Sequence, residues 1–163
     1  MQVESQAGGM DGYNRLTTEV TIKNNCSYTP YLKRVIACIG NAIGMPDKGV
    51  DETARALSDV CRALCDCSPD GVGLSIAFKP YESHLAVEVS DPLLKINPFI
   101  QGSGTADNSL FKQLEECVSL TDGIEVVGGD NGTTIRITKH VNASASTRLG
   151  LHFGVWNPGT LKA

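Results

Sequence analysis

Val72-Gly73-Leu74-Ser75-Ile76-Ala77-Phe78-Lys79-Pro80-Tyr81-Glu82-Ser83-His84-Leu85-Ala86-Val87-Glu88-Val89-Ser90-Asp91 is the stretch that decides the fold. Val72, Leu74, Ile76 and Phe78 alternate with small or basic residues. Leu85, Val87 and Val89 alternate with Ala86, Glu88 and Ser90. Period-two patterning of this kind belongs to strands with one buried face. Pro80-Tyr81-Glu82-Ser83 is too short to carry a crossover, so the two strands form a hairpin and pair antiparallel.

Upstream, Tyr28, Tyr31, Leu32, Val35, Ile36, Ile39, Ala42 and Ile43 recur at 3–4 spacing, which predicts an amphipathic helix. Thr29-Pro30 suits its first turn and Gly44 its end. A second helix is expected from about Val50 to Asp66, with Val50, Ala54, Leu57, Cys61, Leu64 and Cys65 on its apolar side. Ser68-Pro69-Asp70-Gly71 breaks it. Before both helices, Thr18–Lys23 alternates and is β-branched, as a strand would be. Residues 1–15, with Gly8, Gly9 and Gly12, read as a disordered leader.

Downstream, residues 91–108 read as a long loop rich in Pro, Gly, Asp and Asn. Leu110, Phe111, Leu114, Cys117 and Val118 predict a third helix. Strand Ile124–Val127 joins Thr133–Lys139 through the turn Gly128-Gly129-Asp130-Asn131-Gly132. The order is therefore β-α-α-β-β-loop-α-β-β. Three apolar helix stripes need a common partner. The expected fold class is α+β: a two-layer α/β sandwich whose mixed, mostly antiparallel sheet is covered on one face by three helices. The expected division is a leader at 1–15, a domain at 16–141 and a C-terminal extension at 142–163. In that extension Leu149, Leu151, Phe153, Val155 and Trp156 are apolar. Three readings stay open for them: a packed arm, an added edge strand, or a surface for self-association as a homodimer.

Composition narrows the function classes. The 163 residues carry Lys+Arg 14 against Asp+Glu 18, a net charge of −4. The length fits one domain, with a core large enough to need no metal or disulfide staple. Net acidity argues against a direct nucleic-acid binder. No apolar run reaches the roughly 18 residues of a membrane span. The N-terminus has no apolar signal core, so a cytoplasmic location is expected. Cys61, Cys65 and Cys67 form the one cysteine cluster among six. The second ligand pair of a structural zinc site is missing, because His84, His140 and His152 stand isolated in the sequence. The cysteines read as core thiols, with metal or redox sensing as the alternative, and no metal ligands are expected.

Four segments in order carry a family resemblance. They are Glu19-Val20-Thr21-Ile22 with Tyr28-Thr29-Pro30-Tyr31-Leu32-Lys33-Arg34-Val35; the helix Asp51 to Cys61; Leu85-Ala86-Val87-Glu88-Val89-Ser90-Asp91; and Gly132-Thr133-Thr134-Ile135-Arg136-Ile137. Over residues 17–140 the chain resembles the GHKL (Bergerat, histidine kinase-like) ATPase superfamily, and within it the anti-sigma factor serine kinases. The resemblance implies the histidine kinase-like ATPase fold, bound Mg²⁺–ATP and serine kinase activity. It also implies a sigma factor or a STAS-domain antagonist as partner.

Position by position, the implied site is eroded. Asp59 matches the catalytic Glu of the family's N-box, and Ala63 stands where its Mg²⁺-holding Asn belongs, with no oxygen to offer a hard cation. The alternative for Asp59 is an ordinary helix ion pair with Arg55 or Arg62. Asp91 matches the adenine-binding Asp of the first glycine box, but Leu93 and Lys95 replace its glycines. Thr133 and Thr134 match the closing strand. Alignment through Leu110-Phe111 sets Asp107-Asn108-Ser109 just before the third helix, where phosphate would bind; Gly102-Ser103-Gly104 falls several residues early. The expectation is a pseudo-kinase: a bacterial-type transcription regulator of the anti-sigma kind that works by binding protein, its nucleotide and metal lost. The alternative is an active ATP-dependent serine kinase with a divergent site.

Overall fold

Alternation along five strands lays apolar side chains row upon row on one face of a single sheet. The computed structural model describes residues 3–6, 17–23, 28–68, 73–95, 105–142 and 151–154. Its elements are β1 (Val3–Gln6), β2 (Thr17–Lys23), α1 (Thr29–Ala42), α2 (Asp47–Cys67), β3 (Gly73–Pro80) and β4 (His84–Asp91). They continue with α3 (Thr105–Val118), β5 (Gly123–Gly129), β6 (Gly132–His140) and β7 (Leu151–Gly154). The strands form one sheet in the order β1-β2-β3-β4-β6-β5-β7. Neighbours are antiparallel except β5 and β7, which run parallel. The fold is α+β and two-layered, as expected.

Register aligns the core. Val20, Ile76, Val89, Ile135 and Val126 form one continuous cross-strand row, and Phe78, Val87, Ile137 and Ile124 form the next. All nine are buried, and they pack with Ile36, Leu57, Val60, Leu64, Leu110 and Leu114 of the helices. Such rows are the unit of sheet stabilisation, because side chains directly opposite one another touch.

α1 ends in a Schellman motif. Gly44 takes φ 77°, and Gly44 N and Met45 N donate to Asn41 O (3.2 Å) and Gly40 O (2.8 Å). Met45 is buried beyond the cap, so the turn also fixes where α2 begins. α2 lies between α1 and α3 on the sheet and carries the largest buried stripe.

The face of the sheet that the helices leave uncovered is polar. Its middle row runs Glu19, Ala77, Glu88, Arg136, Glu125. Glu88 pairs with Lys79 at 2.7 Å and with Arg136 at 2.8 Å, and Arg136 reaches on to Glu125 at 2.9 Å. Charge thus alternates across four strands.

Three boundaries differ from the sequence reading. Residues 3–6, inside the expected leader, form β1 against β2. An edge strand is held by backbone hydrogen bonds, which leave no apolar signature in a sequence. Second, α3 starts at Thr105, not just before Leu110. Third, residues 151–154 of the extension add β7 beside β5, the edge-strand reading of the tail. No helix among the described residues is long and apolar enough to cross a membrane.

Candidate functional site

β4 and β6 run antiparallel, so each end of the pair collects residues far apart in sequence. At one end, Asp91 sits directly opposite Thr133. Both are buried, Asp91 completely. Asp91 Oδ1 accepts hydrogen bonds from Leu93 N (2.9 Å) and Leu94 N (3.1 Å). Its Oδ2 is bonded by the Ser68 hydroxyl, at the C-terminus of α2. Ser68 Oγ also lies 2.6 Å from Leu64 O, so one hydroxyl proton faces two acceptors. Thr133 Oγ1 donates to Leu94 O at 2.6 Å. The two side chains therefore clamp the same turn from both sides, and the carboxylate ties the sheet to α2.

Gly132 explains why the clamp closes. Its φ is 102°, and a Cβ there would lie 2.2 Å from Asp91 O and 2.6 Å from Pro92 Cα. A glycine is required both for the backbone angle and for the approach of β6 to the chain leaving β4.

The four residues picked out from the sequence are only partly assembled. Asp91 and Thr133 meet through Leu94. Thr134, one residue on, faces the uncovered side of the sheet and bonds Ser90 Oγ at 2.9 Å. Asp59 lies on α2 nine residues before Ser68, about 13 Å of helix away at 1.5 Å per residue. Its near partner is Arg62, at 3.9 Å, in an exposed pair one turn along the helix. It also faces Cys117 of α3: burial, then the charges of Asp59 and Glu116, push that thiol up to about 12. Ala63 is fully buried in the core.

The phosphate end is also reassigned. Asp107, Asn108 and Ser109 fall inside α3, not in front of it. The helix begins at Thr105, so Gly102-Ser103-Gly104 immediately precedes it in sequence. Those three glycine-box candidates lie outside the described residues.

A second polar cluster, missed by the sequence reading, occupies the opposite end of β4 and β6. Lys139 is 8% exposed and faces the helices. It donates to Glu52 Oε2 of α2 (2.6 Å) and to Leu120 O (3.1 Å). Asp122 lies 3.9 Å from Lys139 and accepts a bond from His140 N at 2.7 Å. His84 and His140 are directly opposite each other, with ring centroids 5.7 Å apart. They are therefore not isolated, as spacing had implied. Tyr81 stacks on His84 at 4.4 Å. Burial, then the neighbouring His140, holds the His84 imidazole below its usual 6.5. The signal that could have found the pair is the hairpin register, which no single-strand pattern contains.

Among the described cysteines, Cys61 and Cys117 are buried, Cys65 and Cys67 half-buried and Cys38 exposed. Among the described residues no group of three or more His, Cys, Asp or Glu side chains is placed to hold a metal. Compared with protein-family models and with the sequences of characterised proteins, the chain matches none.

Proposed function

We propose that the chain is a non-catalytic regulator that uses a GHKL-like sandwich to bind protein, as an anti-sigma factor does, in the cytoplasm. One observation carries the reading: the amides of Leu93 and Leu94 and the Ser68 hydroxyl already bond both oxygens of the buried Asp91 carboxylate. An adenine amine bonding Oδ1 would have to displace the amides of Leu93 and Leu94. Leaving them unpaired costs about 1–3 kcal/mol each. Two further features agree. Ala63 has no oxygen for Mg²⁺ and lies in the core. Leu93, where the resemblance wants an open approach, is a 60% exposed leucine.

By resemblance the partner is a sigma factor or a STAS-domain antagonist. A thermal-shift screen with ATP, ADP and Mg²⁺ tests the reading: the melting temperature is expected to stay unchanged with all three.

A second reading, an active serine kinase, is favoured by the position of Gly102-Ser103-Gly104 directly before α3. Glycine-rich sequence leading into a helix N-terminus is a pattern that suits phosphate binding. Transfer of labelled phosphate from ATP to a STAS-domain protein would establish it. The cysteine-sensor reading has the half-buried Cys65 and Cys67 in its favour, and zinc or iron in protein purified without added metal would support it.

A further inference from the structure

We propose that His84 and His140 form a two-imidazole binding site for a divalent late transition metal ion such as Cu²⁺, Ni²⁺ or Zn²⁺, on the uncovered face of the sheet. The geometry starts with the backbone. Val141 N donates to Ser83 O at 2.9 Å, which makes Ser83 and Val141 a hydrogen-bonded pair. His84 and His140, the next pair along, are therefore a non-hydrogen-bonded pair, the kind whose side chains stand closest. Both point to the uncovered face, because Leu85 and Lys139 beside them point to the helices.

Each ring has an oxygen near its Nδ1. His84 Nδ1 lies 3.0 Å from Ser83 Oγ, and His140 Nδ1 lies 3.4 Å from Asp122 Oδ2. An Nδ1–H donated to each of these oxygens leaves Nε2 of both rings as the lone-pair atom. Metal-binding histidines characteristically donate their other nitrogen to a carboxylate or similar acceptor. Asp122 is held in place for this by His140 N at 2.7 Å. Tyr81, stacked at 4.4 Å, restricts the His84 ring.

The spacing fits a chelate. Two imidazoles binding one ion at ~2.1 Å per nitrogen bring their ring centres to roughly 5 Å. The rings stand 5.7 Å apart and 44° from parallel, so small side-chain rotations close the gap. Imidazole suits copper, nickel and zinc, and the remaining positions would be filled by water. The His140 side chain is 41% exposed, so the ion can reach the site.

The test uses the full chain without an affinity tag, with thiols kept reduced. Calorimetric titration with Ni²⁺ and with Zn²⁺ is expected to show about one equivalent bound. His84→Asn, His140→Asn and the double variant are expected to lose that binding, and Asp122→Asn to weaken it by roughly 10-fold or more. In the unmodified chain, a trace of Cu²⁺ is expected to broaden the imidazole NMR signals of His84 and His140 before that of His152. This last measurement does not depend on a variant folding. Absence of binding, binding that survives in the double variant, or equal broadening of His152 would each overturn the proposal.

Discussion

Asp91 and Thr133 face each other across β4 and β6, and both grip Leu94: the carboxylate takes its N–H at 3.1 Å, while the threonine hydroxyl donates to its carbonyl at 2.6 Å. With Ser68 on the second carboxylate oxygen, this junction joins the sheet, the turn after β4 and the end of α2. Asp91 and Thr133, two of the residues that resemble a nucleotide site, thus make structural hydrogen bonds within the fold.

The first prediction follows directly. Asp91→Ala leaves the amides of Leu93 and Leu94 without their acceptor in a part-buried turn, while the Ser68 hydroxyl keeps Leu64 O. The expected loss is about 2–4 kcal/mol of unfolding free energy. Asp59→Ala, in an exposed ion pair, is expected to change stability by less than about 1 kcal/mol. Urea denaturation of both variants checks the contrast.

Gly132 gives a second, independent test of the junction. Gly132→Ala meets both a positive φ and a 2.2 Å clash with Asp91 O. A loss of about 3 kcal/mol or more is expected, since backbone must move. Gly129, at the other side of the same turn, has nothing within 4 Å of an added Cβ. Gly129→Ala is expected to be within about 1 kcal/mol of the parent. Similar losses for both would mean that the close approach is not what Gly132 serves.

The charge ladder predicts a pH dependence. Burial raises the Glu88 carboxyl, but hydrogen bonds from Lys79 and Arg136 outweigh it and hold the group below its ordinary 4.5. A carboxylate with a depressed folded value binds fewer protons folded than unfolded. Its contribution is therefore fully present above about 4.5 and is lost as pH falls through the folded value. Glu88→Gln is expected to cost about 1–2 kcal/mol at neutral pH. The difference from the parent should shrink below pH 4.5, measured by denaturant midpoints across pH 3–7. A difference that stays flat over that range would contradict the assignment.

Thiol chemistry separates the cysteines by their surroundings. Cys117 is fully buried and pushed up to about 12, so it carries almost no thiolate at pH 8. Cys38 is exposed. Mass spectrometry after iodoacetamide at pH 8 is expected to find Cys38 modified early and Cys117 only after unfolding. Early modification of Cys117 would show that α2 and α3 do not pack as described.

Much of this was legible in the sequence, for local reasons. The alternation Leu74, Ile76, Phe78 and Leu85, Val87, Val89 marked the central hairpin because side chains there bury on one side only. The 3–4 spacing of Leu32, Val35, Ile36 and Ile39 marked α1 for the same reason. β1 was not legible, because an edge strand is made by backbone pairing with Thr17–Val20. The start of α3 was misplaced because Thr105 to Ser109 carry no apolar stripe.

The site was legible only in part. Asp91 and Thr133 do come together, but their partners Ser68 and Leu94 lie 23 and 39 residues away from them, at distances no motif encodes. Nothing in the local sequence pattern links Lys139, Asp122 and Glu52. They prove to be one buried connection between α2 and the sheet, visible only once both elements are placed.

The Asp91 carboxylate serves the fold, and the proposal built on it is that nucleotide chemistry has been lost. Calorimetric titration of Mg²⁺–ATP into the 163-residue chain addresses it most directly. The account predicts no saturable heat at micromolar ligand. Stoichiometric binding with micromolar affinity, abolished by Asp91→Asn in a variant that melts like the parent, would contradict it.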